Sequence, residues 1–200
     1  EIISNGKKLI SNSGYFPNRY NKLNKLSKSS ALQSTLIVED HSSCSFKKIE
    51  KFNFTISEGL KIIKKNIIQE ENYWKISAAH DGYLKKFGLI HEREIEFYPE
   101  QKKFVGFDKI SNKSLIKNTK FDIRFHLHPN TKVMKTQDNR SILIELEDEG
   151  WKFTCNNFDI NIDNGLYFGN KNSYKENRNI FISGITNMPD QVIKWEITKL

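Results

Sequence analysis

This sequence predicts an all-β fold, an antiparallel multi-stranded β-sandwich with very little helix. Three observations predict it. Runs of about five to nine residues rich in β-branched and aromatic types recur between turns carrying Gly, Asn, Asp or Pro. Two of these runs, Gly88–Tyr98 and Phe121–Pro129, alternate apolar and polar residues with period two. Helical spacing is nearly absent. At 200 residues, one domain over 1–200 is a better expectation than two, and no internal repeat or composition shift marks a boundary.

Taken in order, Lys7–Ser11 is a short strand, Asn12–Tyr15 a turn extended by Phe16–Asn18, and Arg19–Ser30 a basic loop or one weak helix with Leu23 and Leu26 at i,i+3. The charge of that segment could line a groove for an anion or could simply be solvated. Ser34–Asp40, Ser45–Phe54 and Leu60–Gln69 follow as strands, with Ser57–Gly59 a turn. Trp74–Ala79 leads into His80–Tyr83, where Asp-Gly signals a turn. In Gly88–Tyr98, Leu89, His91, Arg93, Ile95 and Phe97 share one face, and Glu92, Glu94 and Glu96 mark the other as wet. After the turn Pro99–Lys103 comes Phe104–Ile110. In Phe121–Pro129, Phe121, Ile123, Phe125 and Leu127 point to a core, and Asp122, Arg124, His126 and His128 point away from it. Ser141–Leu146 and Trp151–Asn156 form a hairpin. Phe158–Ile162, Gly165–Phe168, Asn179–Ile185 and Gln191–Thr198 close the chain.

The net charge is +8 and the pI about 9.3, which favours anionic partners such as acidic polysaccharide, nucleic acid or anionic lipid, against a background of lysine spread over the surface. No apolar run is long enough for a membrane helix. The chain opens without a signal peptide and reads as strand by Lys7, so it is expected to be a fragment of something longer. Cys44 and Cys155 are too few for a disulfide framework and read as buried thiols, or as one long-range disulfide in an exported protein.

Four of the five histidines fall in AAHDGYLKKFGLIHERE (Ala78–Glu94) and IRFHLHP (Ile123–Pro129). Were these strands sheet neighbours, they would pool His80, Asp81, Tyr83, His91, Arg93, Arg124, His126 and His128. Arginine, histidine and tyrosine are the groups that β-elimination of a uronic acid needs. A cation or amide acidifies the proton beside the carboxylate, a base removes it, and an acid protonates the departing glycosidic oxygen. The bland alternative for His80-Asp81 is an imidazole stitching a turn. His126-x-His128 has metal-ligand spacing, as in cupin barrels, but lacks the following acidic ligand. A phosphate-binding Gly-rich loop, a nucleophile elbow and a Cys-x-x-Cys motif are all absent. The aromatics sit on apolar faces, so nucleic acid is not expected as a partner.

On ALQSTLIVEDHSSC (Ala31–Cys44), AAHDGYLKKFGLIHERE, DIRFHLHP, GWKF (Gly150–Phe153) and VIKWEI (Val192–Ile197), the chain resembles the C-terminal domain of the heparinase II/III-like family. The resemblance implies a supersandwich-like domain of a polysaccharide lyase. It would pack on an N-terminal α/α toroid that carries most catalytic groups, act on acidic glycan, and reside in the periplasm or cell envelope of a bacterium. His80, Tyr83, His91, Arg124 and His126 are then the catalytic candidates, and Arg93, Arg124 and His128 the substrate-binding ones. Zinc-containing relatives carry Asp and His where this chain has Asn12 and Gln33, so no metal and no other cofactor is expected. Two other readings stand beside this one: a non-catalytic glycan-binding or structural module, and a cupin-like metal enzyme.

Overall fold

The computed structural model describes residues 1–50, 53–169 and 173–200. The elements are β1 (Ile2–Ser4), β2 (Lys7–Ser11), α1 (Lys22–Ser27), a 3-10 turn (Ser30–Leu32), β3 (Leu36–Val38), β4 (Ser45–Glu50), β5 (Asn53–Glu58), β6 (Ile62–Gln69), β7 (Trp74–Tyr83), α2 (Leu84–Phe87), β8 (Leu89–Tyr98), β9 (Lys103–Asn112), β10 (Thr119–Leu127), β11 (Thr131–Lys135), β12 (Ser141–Leu146), β13 (Glu149–Cys155), β14 (Ile160–Tyr167), β15 (Lys175–Thr186) and β16 (Asp190–Lys199). Two antiparallel sheets face each other, as the sequence predicts. A six-stranded sheet runs β1-β2-β10-β15-β14, with β3 also paired to β10, and an eight-stranded sheet runs β11-β12-β13-β16-β9-β8-β7-β6.

The core lies between the sheets and follows the period-two pattern. Phe121, Ile123, Phe125 and Leu127 of β10 are all buried. Phe125 meets Trp195 of β16 and Phe153 of β13 at ring-centroid distances of 4.8 and 4.9 Å, joining one sheet to the other. Trp195 lies across Gly106, its register partner on β9. A Cβ there would sit 2.0 Å from the indole, so only glycine admits this ring.

Several local expectations need correction. Ser45–Phe54 is a hairpin of β4 and β5 rather than one strand, with Lys51 and Phe52 outside the described residues. His80–Tyr83 continues β7 instead of turning. The reversal comes later, at α2 and Gly88, whose φ of +71° suits a residue without Cβ. The strands expected at Phe158–Ile162 and Gly165–Phe168 are one strand, β14. β1 and β11 are additional, each too short or too polar to stand out in sequence. The basic segment forms the single short helix α1, capped by Asn21, whose side chain accepts from the Leu23 N–H at 2.9 Å.

Candidate functional site

The structure separates the predicted site residues into two groups. β7 and β8 belong to the eight-stranded sheet and β10 to the six-stranded one, so the two histidine motifs are not sheet neighbours. His80, Tyr83, His91 and Arg93 point between the sheets. Arg124 and His126 lie on the opposite face of β10 from Phe125, away from them, and His128 follows just past the end of that strand.

The interior group centres on a residue that the sequence reading missed. Asp108 of β9 is wholly buried and pairs in register with Arg93 of β8. Its Oδ1 accepts from Arg93 Nε at 2.8 Å and from His91 Nε2 at 2.6 Å. Its Oδ2 accepts from an Arg93 terminal nitrogen at 3.0 Å and from Trp195 Nε1 at 2.8 Å. Burial alone would push this carboxyl up, but the Arg93 guanidinium and the His91 bond together hold it well below the usual carboxylate range. The signal was present in sequence, since alternation through Phe104, Gly106, Asp108 and Ile110 puts this carboxylate on an apolar face.

Hydrogen bonds continue outward from Asp108. His91 Nε2–H donates to the carboxylate, so its Nδ1 accepts, 3.2 Å from His80 Nε2. His80 Nδ1 accepts from the Gly82 N–H at 3.2 Å. Only neutral imidazoles in the Nε2–H form satisfy all three bonds. Burial, then the neighbouring His91, pulls the His80 pKa down to about 4. Arg93 also reaches the segment leading into β3, donating to the Ser34 carbonyl at 2.5 Å, and Tyr83 donates its hydroxyl to the Leu36 carbonyl of β3 at 2.6 Å. Tyr83 is 1% exposed, and burial raises its pKa far above the ordinary phenol value. These side chains therefore clip the segment around β3 to the eight-stranded sheet. As placed, neither Tyr83 nor His91 opens to solvent as a base.

On the outer face, His126 is 1% exposed with both ring nitrogens engaged. Nε2–H donates to the Ala31 carbonyl at 3.0 Å, so Nδ1 accepts from the Ser13 hydroxyl at 3.0 Å. Burial brings its pKa down to about 4. The catalytic role expected of His126 therefore does not fit this geometry, and neither does a metal on His126 and His128. Arg124 donates to Asn179 Oδ1 at 3.0 Å, lies over the Phe181 ring at 5.2 Å, and has Asp122 and Asp163 carboxylates 3.6 Å away. Two carboxylates beside one guanidinium leave little net attraction for an anion. His128 is half-buried, edge-on to Tyr167 at 5.2 Å, and burial together with Lys8 and Lys175 lowers its pKa.

Asn12 Oδ1 accepts from the Ser34 N–H at 2.9 Å, and Gln33 Nε2 donates to the Ser27 carbonyl at 3.3 Å. These amides already serve the backbone and do not fit zinc, which prefers carboxylate, imidazole or thiolate. Among the described residues no cluster of three or more His, Cys, Asp or Glu side chains could hold a metal ion.

A family model described as heparinase II/III-like, C-terminal, matches residues 1–196. The chain belongs to this family. Solved structures similar to this heparinase II/III-like chain include heparan sulfate lyase HepC from Pedobacter heparinus, with a TM-score of 0.76 at 12% identity over 97% of this chain and 29% of that one. A heparinase III gene product aligns with a TM-score of 0.73 at 12% identity, over 98% of this chain and 28% of its own. The curated FtsZ-localized protein C of Caulobacter vibrioides is 26% identical over 133 residues, 62% of this chain and 23% of that protein. The chain thus spans less than a third of the length of these relatives. No helix among the described residues is long and apolar enough to cross a membrane.

Proposed function

We propose that this chain is the β-sandwich part of a bacterial polysaccharide lyase acting on acidic, uronate-containing glycan in the periplasm or cell envelope. The observation that carries the reading is the family match over residues 1–196 together with a fold shared along the chain with a heparan sulfate lyase. The charge of +8 agrees with an anionic substrate. Its other partner is the protein's own N-terminal toroid.

In a lyase of this kind, a base removes the proton beside the uronate carboxylate. The electron pair forms the ring double bond, and the glycosidic oxygen leaves with a proton supplied by an acid. Buried and hydrogen-bonded as they are, His91, Tyr83 and His126 act here by holding the sandwich in shape. The proton-transferring groups come from the toroid, and the sandwich supplies a cationic wall. The test is the full-length protein incubated with heparan sulfate and other uronate polysaccharides, followed by the ultraviolet absorbance of the unsaturated uronate product. Growth of that absorbance on at least one substrate is expected. A flat trace across the panel would remove the lyase reading.

A second reading, a non-catalytic glycan-binding or structural module, draws on the match to FtsZ-localized protein C. It predicts glycan binding by the full-length protein without product.

A further inference from the structure

Ser13 to Leu32 form a closed loop whose neck is built from polar contacts. The Ser13 N–H donates to the Leu32 carbonyl at 3.0 Å, and Ser34 Oγ donates to the Ser11 carbonyl at 2.7 Å. His126 ties both ends to β10 through Ser13 and Ala31. Inside the loop, Phe16 packs edge-on against Phe168 at 5.5 Å, with Leu32 and Leu23 beside it. Asn24 Nδ2 donates to the Phe16 carbonyl at 2.7 Å, and Ser27 Oγ accepts from the Phe16 N–H at 3.1 Å. The loop is thus held by its own core and is preorganised rather than slack.

Its outward face is cationic. From Ile2 to Val38 the sequence has six Lys or Arg residues and no Asp or Glu. Lys7 and Lys8 are paired with Glu147 and Glu1. The other four, Arg19, Lys22, Lys25 and Lys28, all belong to this loop, and among the described residues none of them is in an ion pair. Leu23, Asn24 and Ser27 turn inward on α1, leaving Lys22 and Lys25 exposed, as are Arg19 and Tyr20 just ahead of the helix. Tyr20 is 72% exposed. Lys28 Nζ is fixed 3.0 Å from the Phe54 carbonyl, and Lys25 stands over the Phe54 ring at 4.6 Å. Four unneutralised cations with an exposed aromatic ring match a polymer of sugar rings that carries regular negative charge. The surface near Arg124 offers no such surplus, because Asp122 and Asp163 balance it.

We propose that the Ser13–Leu32 loop is a binding subsite for sulfated or carboxylated polysaccharide, with Arg19, Lys22, Lys25 and Lys28 as the anion contacts and Tyr20 as a platform for a sugar ring. This rests on the acidic-glycan reading above and names the surface that meets the chain.

The test titrates the full-length protein with a heparan sulfate oligosaccharide at several salt concentrations. A loop variant carries Arg19→Ser, Lys22→Ser, Lys25→Ser and Lys28→Ser. A control removes the same charge elsewhere through Lys113→Ser, Lys117→Ser, Lys120→Ser and Lys152→Ser. A milder pair, Lys22→Gln and Lys25→Gln, keeps helix propensity if the loop variant misfolds. The loop variant is expected to bind about tenfold more weakly, as befits three exposed cations and the half-buried Lys28, with a shallower salt dependence. The control should stay within about twofold. The Gln pair should show part of the loop variant's loss. Unchanged affinity in the loop variant, or an equal loss in both charge variants, would overturn the subsite and leave the lyase reading intact. Wild-type protein that binds no acidic glycan would instead remove the acidic-glycan reading itself, and the subsite with it. Tighter binding to duplex DNA than to glycan, lost in the loop variant, would also overturn the proposal by assigning the surface to nucleic acid.

Discussion

Asp108 and Arg93 meet across β9 and β8 as a two-pronged ion pair sealed between the sheets, with nitrogen–oxygen distances of 2.8 and 3.0 Å. Replacing the carboxylate with an amide strands the guanidinium and turns a donor toward Arg93 or Trp195. Asp108→Asn is therefore expected to lower unfolding free energy by about 3–5 kcal/mol, the usual cost of breaking a buried pair from one side. Urea denaturation would read this as a lower midpoint.

Gly106 is the floor on which the Trp195 indole rests. Gly106→Ala places a methyl group inside the ring's volume, and Trp195 is itself pinned by Asp108 and Phe125. A loss of about 2 kcal/mol or more is expected, at the high end for overpacking because the obstructing ring cannot swing away. Thermal unfolding would show it, accompanied by a change in tryptophan fluorescence.

Tyr83 gives a test of role. Its hydroxyl serves the Leu36 carbonyl inside the core. Tyr83→Phe leaves that carbonyl unpaired and should cost about 1–2 kcal/mol of stability. Product formation per folded molecule in the full-length protein should persist, whereas a catalytic tyrosine would lose it by orders of magnitude.

Acid should weaken the fold in a defined window. His80 and His126 have pKa values brought down from 6.5 to about 4, so the unfolded chain takes up their protons first. The stability they lend is complete above pH 6.5 and drains as pH falls toward 4. For His126 the full shift corresponds to about 3 kcal/mol. Urea midpoints measured between about pH 7 and about pH 4 should decline, and His126→Asn should flatten that decline.

The local half of this structure was legible in sequence. Alternation assigned both faces of FDIRFHLHP and the inward side of His91 and Arg93, because side-chain direction along a strand is fixed by geometry alone. Sheet membership was not legible. Whether β8 lies beside β10 or opposite it depends on pairings between residues far apart in the chain, and turn spacing does not encode them. That is why one imagined cluster became two. Alternation in FVGFDKI puts the Asp108 carboxylate on the apolar face, but a lone acid there does not reveal its partners. Its importance appears only when Arg93, His91 and Trp195 converge on it. The role of His126 likewise depends on Ser13 and Ala31, which arrive from a distant loop.

Hydrogen–deuterium exchange of the full-length protein, with and without a heparan sulfate oligosaccharide, distinguishes a glycan held on the outer, basic surface from one held at the interior histidines. Slower exchange is predicted across residues 13–32, with β7, β8 and β9 unchanged. Protection centred on His80 to His91, with the loop from Ser13 to Leu32 unaffected, would place the glycan at the interior histidines and contradict a binding loop on the outer surface.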